Sequence, residues 1–144
     1  MKIRQEVIAA VTAHAQREQP RECCGILLGV DDELVEAVAA ENISAEPARG
    51  YEVSPADHIA QIRRCRDAAR GGATRLAILG VYHSHPHSAP VPSPTDLDQA
   101  WEEYVYLIAG PADGSAPMAI RAYRLNGERF VEVQLTPTPA AGVE

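Results

Sequence analysis

Residues 81–96 read Val-Tyr-His-Ser-His-Pro-His-Ser-Ala-Pro-Val-Pro-Ser-Pro-Thr-Asp, the densest group of metal-ligating side chains in the sequence. His83 and His85 close a hydrophobic run, and in an extended chain residues two apart project from the same face. Two neutral imidazoles and one carboxylate, with a fourth position open, make the tetrahedral site used by hydrolytic zinc enzymes. Asp96 is the natural carboxylate, because a turn can bring the start of a following helix back to the strand end. A plainer role exists for the same residues. Ser93-Pro94-Thr95-Asp96 satisfies a helix N-cap pattern, with Ser93 capping and Asp96 favouring the helix dipole. These residues alone do not choose between ligand and cap.

A second carboxylate, Glu22, stands just before the apolar run Gly25-Ile26-Leu27-Leu28-Gly29. Taken alone, a glutamate at a strand edge is solvated surface. Cys24 would share a face with Glu22, and a small buried hydrophobe suits it better than a nucleophile or ligand. His87 is loop surface, a substrate-facing group or an extra metal contact. His14 and His58 fall on predicted helices without recognisable partners.

The spacing His-Ser-His, seven residues, Ser, two residues, Asp resembles the signature of the JAMM metallopeptidases, whose domain is also called MPN-plus. Pro20-Arg21-Glu22-Cys23-Cys24-Gly25-Ile26-Leu27-Leu28-Gly29 is similar to the family's Pro-x-Glu-x-x-Gly-x-Leu-x-Gly segment, and the resemblance extends up to the C-terminal tail. It implies an MPN/JAMM-like fold with one zinc ion per chain on His83, His85 and Asp96. It implies Glu22 as the acid/base on metal-bound water and Ser93 as an oxyanion donor. The chemistry agrees: zinc lowers the pKa of bound water from about 15.7 towards about 7, so a nearby carboxylate can take its proton. Ser84 would point away from the ligand face and support the backbone.

The resemblance further implies a peptidase or isopeptidase acting at the Gly-Gly tail of a ubiquitin-like protein. The compact chain looks like the small bacterial and archaeal members, whose substrates include sulfur carriers. The tail would lie beside an exposed strand, between walls formed by the 42–52 and 86–92 loops. Two alternatives belong to other classes: a non-catalytic MPN scaffold that binds a metal, and a copper or nickel site on His83, His85 and His87. A zinc nucleobase deaminase would need His-x-Glu and Pro-Cys-x-x-Cys, and neither occurs.

The elements that must position these groups follow from periodicity. Ile3, Val7, Ala10, Val11 and His14 predict a helix over 3–18, ended by Pro20. Glu22 to Val30 and Glu33 to Ala40 predict a hairpin turning at Asp31-Asp32. A loop over 41–50 and an extended piece at Tyr51-Glu52-Val53 follow. The next helix starts with Ser54 as N-cap, Pro55 first in the helix and Asp57 in place of the capping-box glutamate, and stops at Gly71-Gly72. Leu76 to Tyr82 reads as a central strand covered on both faces. A short helix from Pro94 takes in Leu97, Ala100 and Trp101, then come a strand over Tyr104 to Ala109 and a hairpin with a type I′ turn at Asn126-Gly127. The tail, 136–144, carries Pro137 and Pro139 and is expected to fray, leaving residues 1–135 as one domain. The fold class is α/β (α+β), a mostly antiparallel mixed sheet flanked by helices.

Bulk properties narrow the partners. A formal net charge of -7 argues against a nucleic-acid-binding surface, and Arg63, Arg64, Arg66 and Arg70 read as the solvated face of a helix. Cys23, Cys24 and Cys65 suggest no disulfide framework and fit a reducing cytoplasm. The first residues lack a signal-peptide pattern and no apolar run is long enough to span a bilayer, so no membrane is expected. Oligomeric state is not legible in the pattern.

Overall fold

The computed structural model describes residues 1–72, 75–112 and 118–140. In chain order the elements are β1 (Lys2–Arg4), α1 (Gln5–Glu18), β2 (Cys24–Val30), β3 (Glu33–Ala40), α2 (Pro55–Arg70), β4 (Ala77–Ser84), α3 (Pro94–Asp98), β5 (Val105–Pro111), β6 (Met118–Asn126), β7 (Arg129–Val133) and β8 (Thr136–Thr138). All the strands join one sheet in the order β7-β6-β5-β4-β2-β3-β1-β8. The β1–β3, β1–β8 and β4–β5 pairs are parallel and the other four antiparallel, so the mixed, mostly antiparallel sheet predicted from the sequence is the observed one.

β2 and β4 occupy the middle of the sheet. Cys24 pairs with His83 and Gly25 with Tyr82, which sets the end of β4 against the start of β2. Two glycines permit this close packing. A Cβ on Gly25 would run into the Tyr82 ring, and one on Gly80 would collide with the Val105 carbonyl. α1 lies on one face and buries Val7, Val11 and Ala15 with Ile3, Leu27, Leu34, Tyr82 and Leu107. β4 is interior, hydrogen-bonded to β2 on one side and β5 on the other.

Several local expectations need correction. Ile3 continues the helical spacing of Val7 and Val11, yet residues 2–4 are a strand in which Ile3 pairs with Leu34 and Pro137. Three residues are too few for periodicity to separate strand from helix. Glu22 lies outside β2, which begins at Cys24. β4 is buried only from Gly80 onward; Ala77 is exposed and Ile78 and Leu79 are partly so. α3 ends at Asp98, short of Ala100 and Trp101, and Trp101 is 64% exposed. In the β6–β7 turn Asn126 pairs with Arg129, and positive φ occurs at Gly127 (65°) but not at Glu128, the requirement of a II′ and not a I′ turn.

The tail does not fray at Thr136. Residues 136–138 add to β1, Thr136 N–H donates to the Met1 carbonyl at 2.9 Å, and Pro137 is tolerated because β8 is an edge strand. Residues 141–144 of the expected tail lie outside the described residues. α2 begins as predicted, with Ser54 Oγ accepting the Asp57 N–H at 3.4 Å. The Asp57 carboxylate, however, accepts the Glu41 N–H at 2.8 Å and so ties the helix start to the end of β3.

Candidate metal centre

The centre begins with the β4 ladder. His83 is paired on both sides, to Cys24 of β2 and Ile108 of β5. His85 follows the strand end, and its N–H donates to the Ala109 carbonyl at 2.8 Å. Extended backbone across 83–85 therefore sends both imidazoles the same way, with their Nε2 atoms 3.1 Å apart. Asp96 Oδ2 completes the group at 3.3 Å from His83 Nε2 and 3.4 Å from His85 Nε2. All three residues are buried.

These separations suit a small tetrahedral cation. Ligand bonds of about 2.0–2.1 Å imply tetrahedral edges of about 3.3–3.4 Å. His85 Nδ1 lies 2.9 Å from the Ala89 carbonyl, so the tautomer that donates there leaves Nε2 as a bare lone pair facing the group. Among the described residues His83 Nδ1 is buried without a hydrogen-bond partner; its ring is instead stacked on Tyr51, with centroids 4.2 Å apart and planes 16° from parallel.

Asp96 is at once a cap and a member of this group. Its Oδ2 accepts the Ser93 N–H at 2.8 Å while Ser93 Oγ accepts the Asp96 N–H at 3.1 Å, a complete capping box at the start of α3. The capping pattern seen in the sequence is the device that aims the carboxylate at the histidines. Ser93 is half-buried, and its own O–H remains available as a donor.

Glu22 also comes close to both histidines. Its carboxylate lies in a group with the His83 and His85 ligand atoms, all within 4.8 Å of one another. Two carboxylates thus face the imidazoles, and the separations of Asp96 are those of a ligand. Burial pushes Glu22 up to about 7, against the pull of His85 and with a contribution from Asp96. A buried carboxyl poised near neutrality can both accept and return a proton.

Its neighbours are biased differently. Burial, only partly opposed by Asp96, lowers the pKa of His83. At His85 burial also lowers it, but the Asp96 hydrogen bond and the Ala89 carbonyl prevail and the net shift is upward. Asp96 is raised by burial yet ends well below the usual carboxylate range, because both imidazoles and the Ser93 N–H favour its charged form.

The remaining candidates separate cleanly. Cys24 is fully buried with Sγ towards the Ala40 and Glu41 carbonyls, and burial pushes its thiol up to about 12, an inert state. His87 is exposed and outside the group. Ser84 Oγ accepts the Cys23 N–H at 2.8 Å, the backbone role expected of it. Sequence patterns missed Asn42 and Tyr51, which sit in an aperiodic loop and meet the centre only through tertiary contacts.

The family described as prokaryotic homologs of the JAB domain matches residues 4–126. The chain belongs to this family. It is 33% identical over 135 residues to the desampylase of Haloferax volcanii, covering 92% of this chain and 89% of that one. It is 33% identical over 113 residues to a probable TtuB-protein conjugate cleaving protease of Thermus thermophilus (78% and 68%), and 26% identical over 144 residues to the CysO-cysteine peptidase of Mycobacterium tuberculosis (99% and 90%).

Among solved structures, a Desulfitobacterium hafniense protein superposes with a TM-score of 0.76 at 21% identity, covering 99% of this chain and 96% of that one. A JAB1/MPN domain protein of Archaeoglobus fulgidus superposes with a TM-score of 0.60 at 19% identity (95% and 98%). These two establish the fold. The JAB/MPN assignment and the hydrolase class read from the sequence agree with the family match and with the peptidase and protease names of its members.

Proposed function

We propose that this JAB-domain chain is a zinc-dependent peptidase that hydrolyses a peptide or isopeptide bond at the Gly-Gly tail of a ubiquitin-like sulfur carrier. The observation that carries the reading is the convergence of His83 Nε2, His85 Nε2 and Asp96 Oδ2 within 3.4 Å of one another beside a second, buried carboxyl. His83, His85 and Asp96 would hold one zinc ion per chain. When bound, zinc supplies Lewis acidity and lowers the pKa of a coordinated water from about 15.7 towards about 7.

The other steps belong to side chains of this chain. Glu22 takes a proton on its carboxylate as the water attacks and delivers it to the leaving amine. The Ser93 hydroxyl donates to the oxyanion that develops on the scissile carbonyl, a contribution typically of about 2.7–4 kcal/mol. Relatives named for a TtuB-protein conjugate and for CysO-cysteine support small protein tails as the substrate class.

The three free cysteines fit a cytoplasmic setting, and among the described residues no helix is long and apolar enough to cross a membrane. The net charge of -7 makes a nucleic-acid partner unfavourable. A silent scaffold that only binds metal could use Glu22 as a further ligand, and cleavage of a carrier separates that reading from the enzyme.

The test is incubation with a sulfur carrier bearing a residue beyond its Gly-Gly end, with and without chelator. Cleavage that stops on chelation and returns with zinc is expected. Chelator-insensitive cleavage, or none of any extended carrier, would overturn the proposal.

A further inference from the structure

Glu22 precedes β2, so no ladder pairing fixes its backbone. Both of its main-chain groups are claimed by the 42–52 loop. Its N–H donates to the Pro47 carbonyl at 2.7 Å, and its carbonyl accepts from Asn42 Nδ2 at 2.9 Å.

Asn42 is used to capacity. A side-chain amide has two N–H donors and two acceptor lone pairs. The second donor of Asn42 goes to the Gly50 carbonyl at 3.0 Å, and its Oδ1 accepts the N–H groups of Ser44 at 3.0 Å and Glu52 at 3.1 Å. One side chain therefore gathers the backbone of residues 22, 44, 50 and 52. The bridge between Asn42 and Val53 and the bond from Ile43 N–H to the Glu52 carbonyl, 2.9 Å, close the loop at its base. Between Gly50 and Glu52 stands Tyr51, whose ring covers His83.

We propose that Asn42 is a positioning residue. It stiffens the 42–52 loop into a brace with one end on the Glu22 backbone and the other, through Tyr51, on His83, so that the acid/base is set relative to the ligand group. The role assigned to Glu22 rests on the function proposed above, whereas the brace is a property of the fold. No shorter or differently charged side chain reproduces it. Aspartate keeps the two accepted bonds and loses both donated ones; alanine loses all four.

Asn42→Asp and Asn42→Ala, made in the full chain, separate these contributions. Amide hydrogen exchange in the presence of chelator reads the brace without reference to activity. Exchange at the Glu22 N–H, whose acceptor is Pro47 of the loop, is expected to rise about tenfold or more in both variants, from the loss of two or more hydrogen bonds, with residues 26–29 unchanged. Zinc content should stay at that of the wild type. On an extended carrier, kcat should fall about ten- to a hundredfold with KM within about twofold, as expected of a misplaced catalytic group.

Wild-type exchange at the Glu22 N–H in both variants would overturn the brace. So would acceleration extending through 26–29, or a loss of activity that follows loss of zinc, since either marks a general structural role. Unchanged kcat with faster exchange at the Glu22 N–H would also refute positioning. If the wild-type chain cleaves no carrier, the proposed function fails while the exchange measurement still decides whether Asn42 braces Glu22.

Discussion

The two histidines and the two carboxylates of the centre meet at one point but are held by different means. His83 sits in the middle of the sheet, bonded into a ladder on both sides, and residues 81–84 around it are buried. Asp96 rides on a five-residue helix and is aimed by one capping box, and Glu22 stands outside any strand, tied by Pro47 and Asn42. The imidazole half inherits its geometry from the cooperative core. The carboxylate half depends on a few polar bonds, each worth about 0.5–1.5 kcal/mol. Single polar substitutions should therefore alter chemistry in the second half without touching the fold, whereas the first half should fail only together with the sheet.

The sharpest separation of the halves is Glu22→Gln. Cleavage of an extended carrier should drop about 10²–10⁴-fold, the usual contribution of a general acid/base, while zinc per chain stays unchanged. Turnover and elemental analysis on the same preparation check this; equal activity of variant and wild type would remove Glu22 from the mechanism.

The converse experiment breaks the imidazole half. Gly80→Ala sets a methyl group against the Val105 carbonyl, backbone that cannot yield without parting β4 from β5. A destabilisation of about 3 kcal/mol is expected, the upper end for overpacking, and it would lower the melting temperature by about 10 °C. Zinc retention should decline with the fold. Unchanged thermal unfolding would show that the sheet accommodates a side chain there.

The smallest effect concerns the support behind β4. His14 Nδ1 and the Tyr82 hydroxyl are 2.8 Å apart in the core, and burial, with Arg17 adding and Glu18 opposing, lowers the pKa of His14. The folded state resists a proton that the unfolded chain accepts at the ordinary histidine value. This stability is fully present above about pH 6.5 and is lost as pH falls below it, by at most about 1.4 kcal/mol per pH unit. Between about pH 7.5 and about pH 5.5, the wild type should lose more melting temperature than His14→Gln. An equal loss in both would mean that His14 is not the titrating group.

What local pattern carries was legible without coordinates. The β2–β3 hairpin, the Ser54-capped α2, the run leading to His83, and the spacing from His83 and His85 to Ser93 and Asp96 all depend on residues within about a dozen positions of each other. The i, i+2 geometry of a strand and the i, i+3 geometry of a capping box leave little freedom over that range.

Other features depend on segments distant in sequence, and tertiary structure alone decided them. β1 and β8 are strands only because they pair with each other and, through β1, with β3. Glu22 lies off the ladder, and its placement depends on Asn42, 20 positions away. Tyr51 reaches His83 across a loop without periodicity. Such contacts form once the sheet has closed loops of tens of residues, and a pattern of side-chain types along the chain does not record which closures occur. The identity of the chemical groups was written in the sequence, and the device that keeps Glu22 beside them was not.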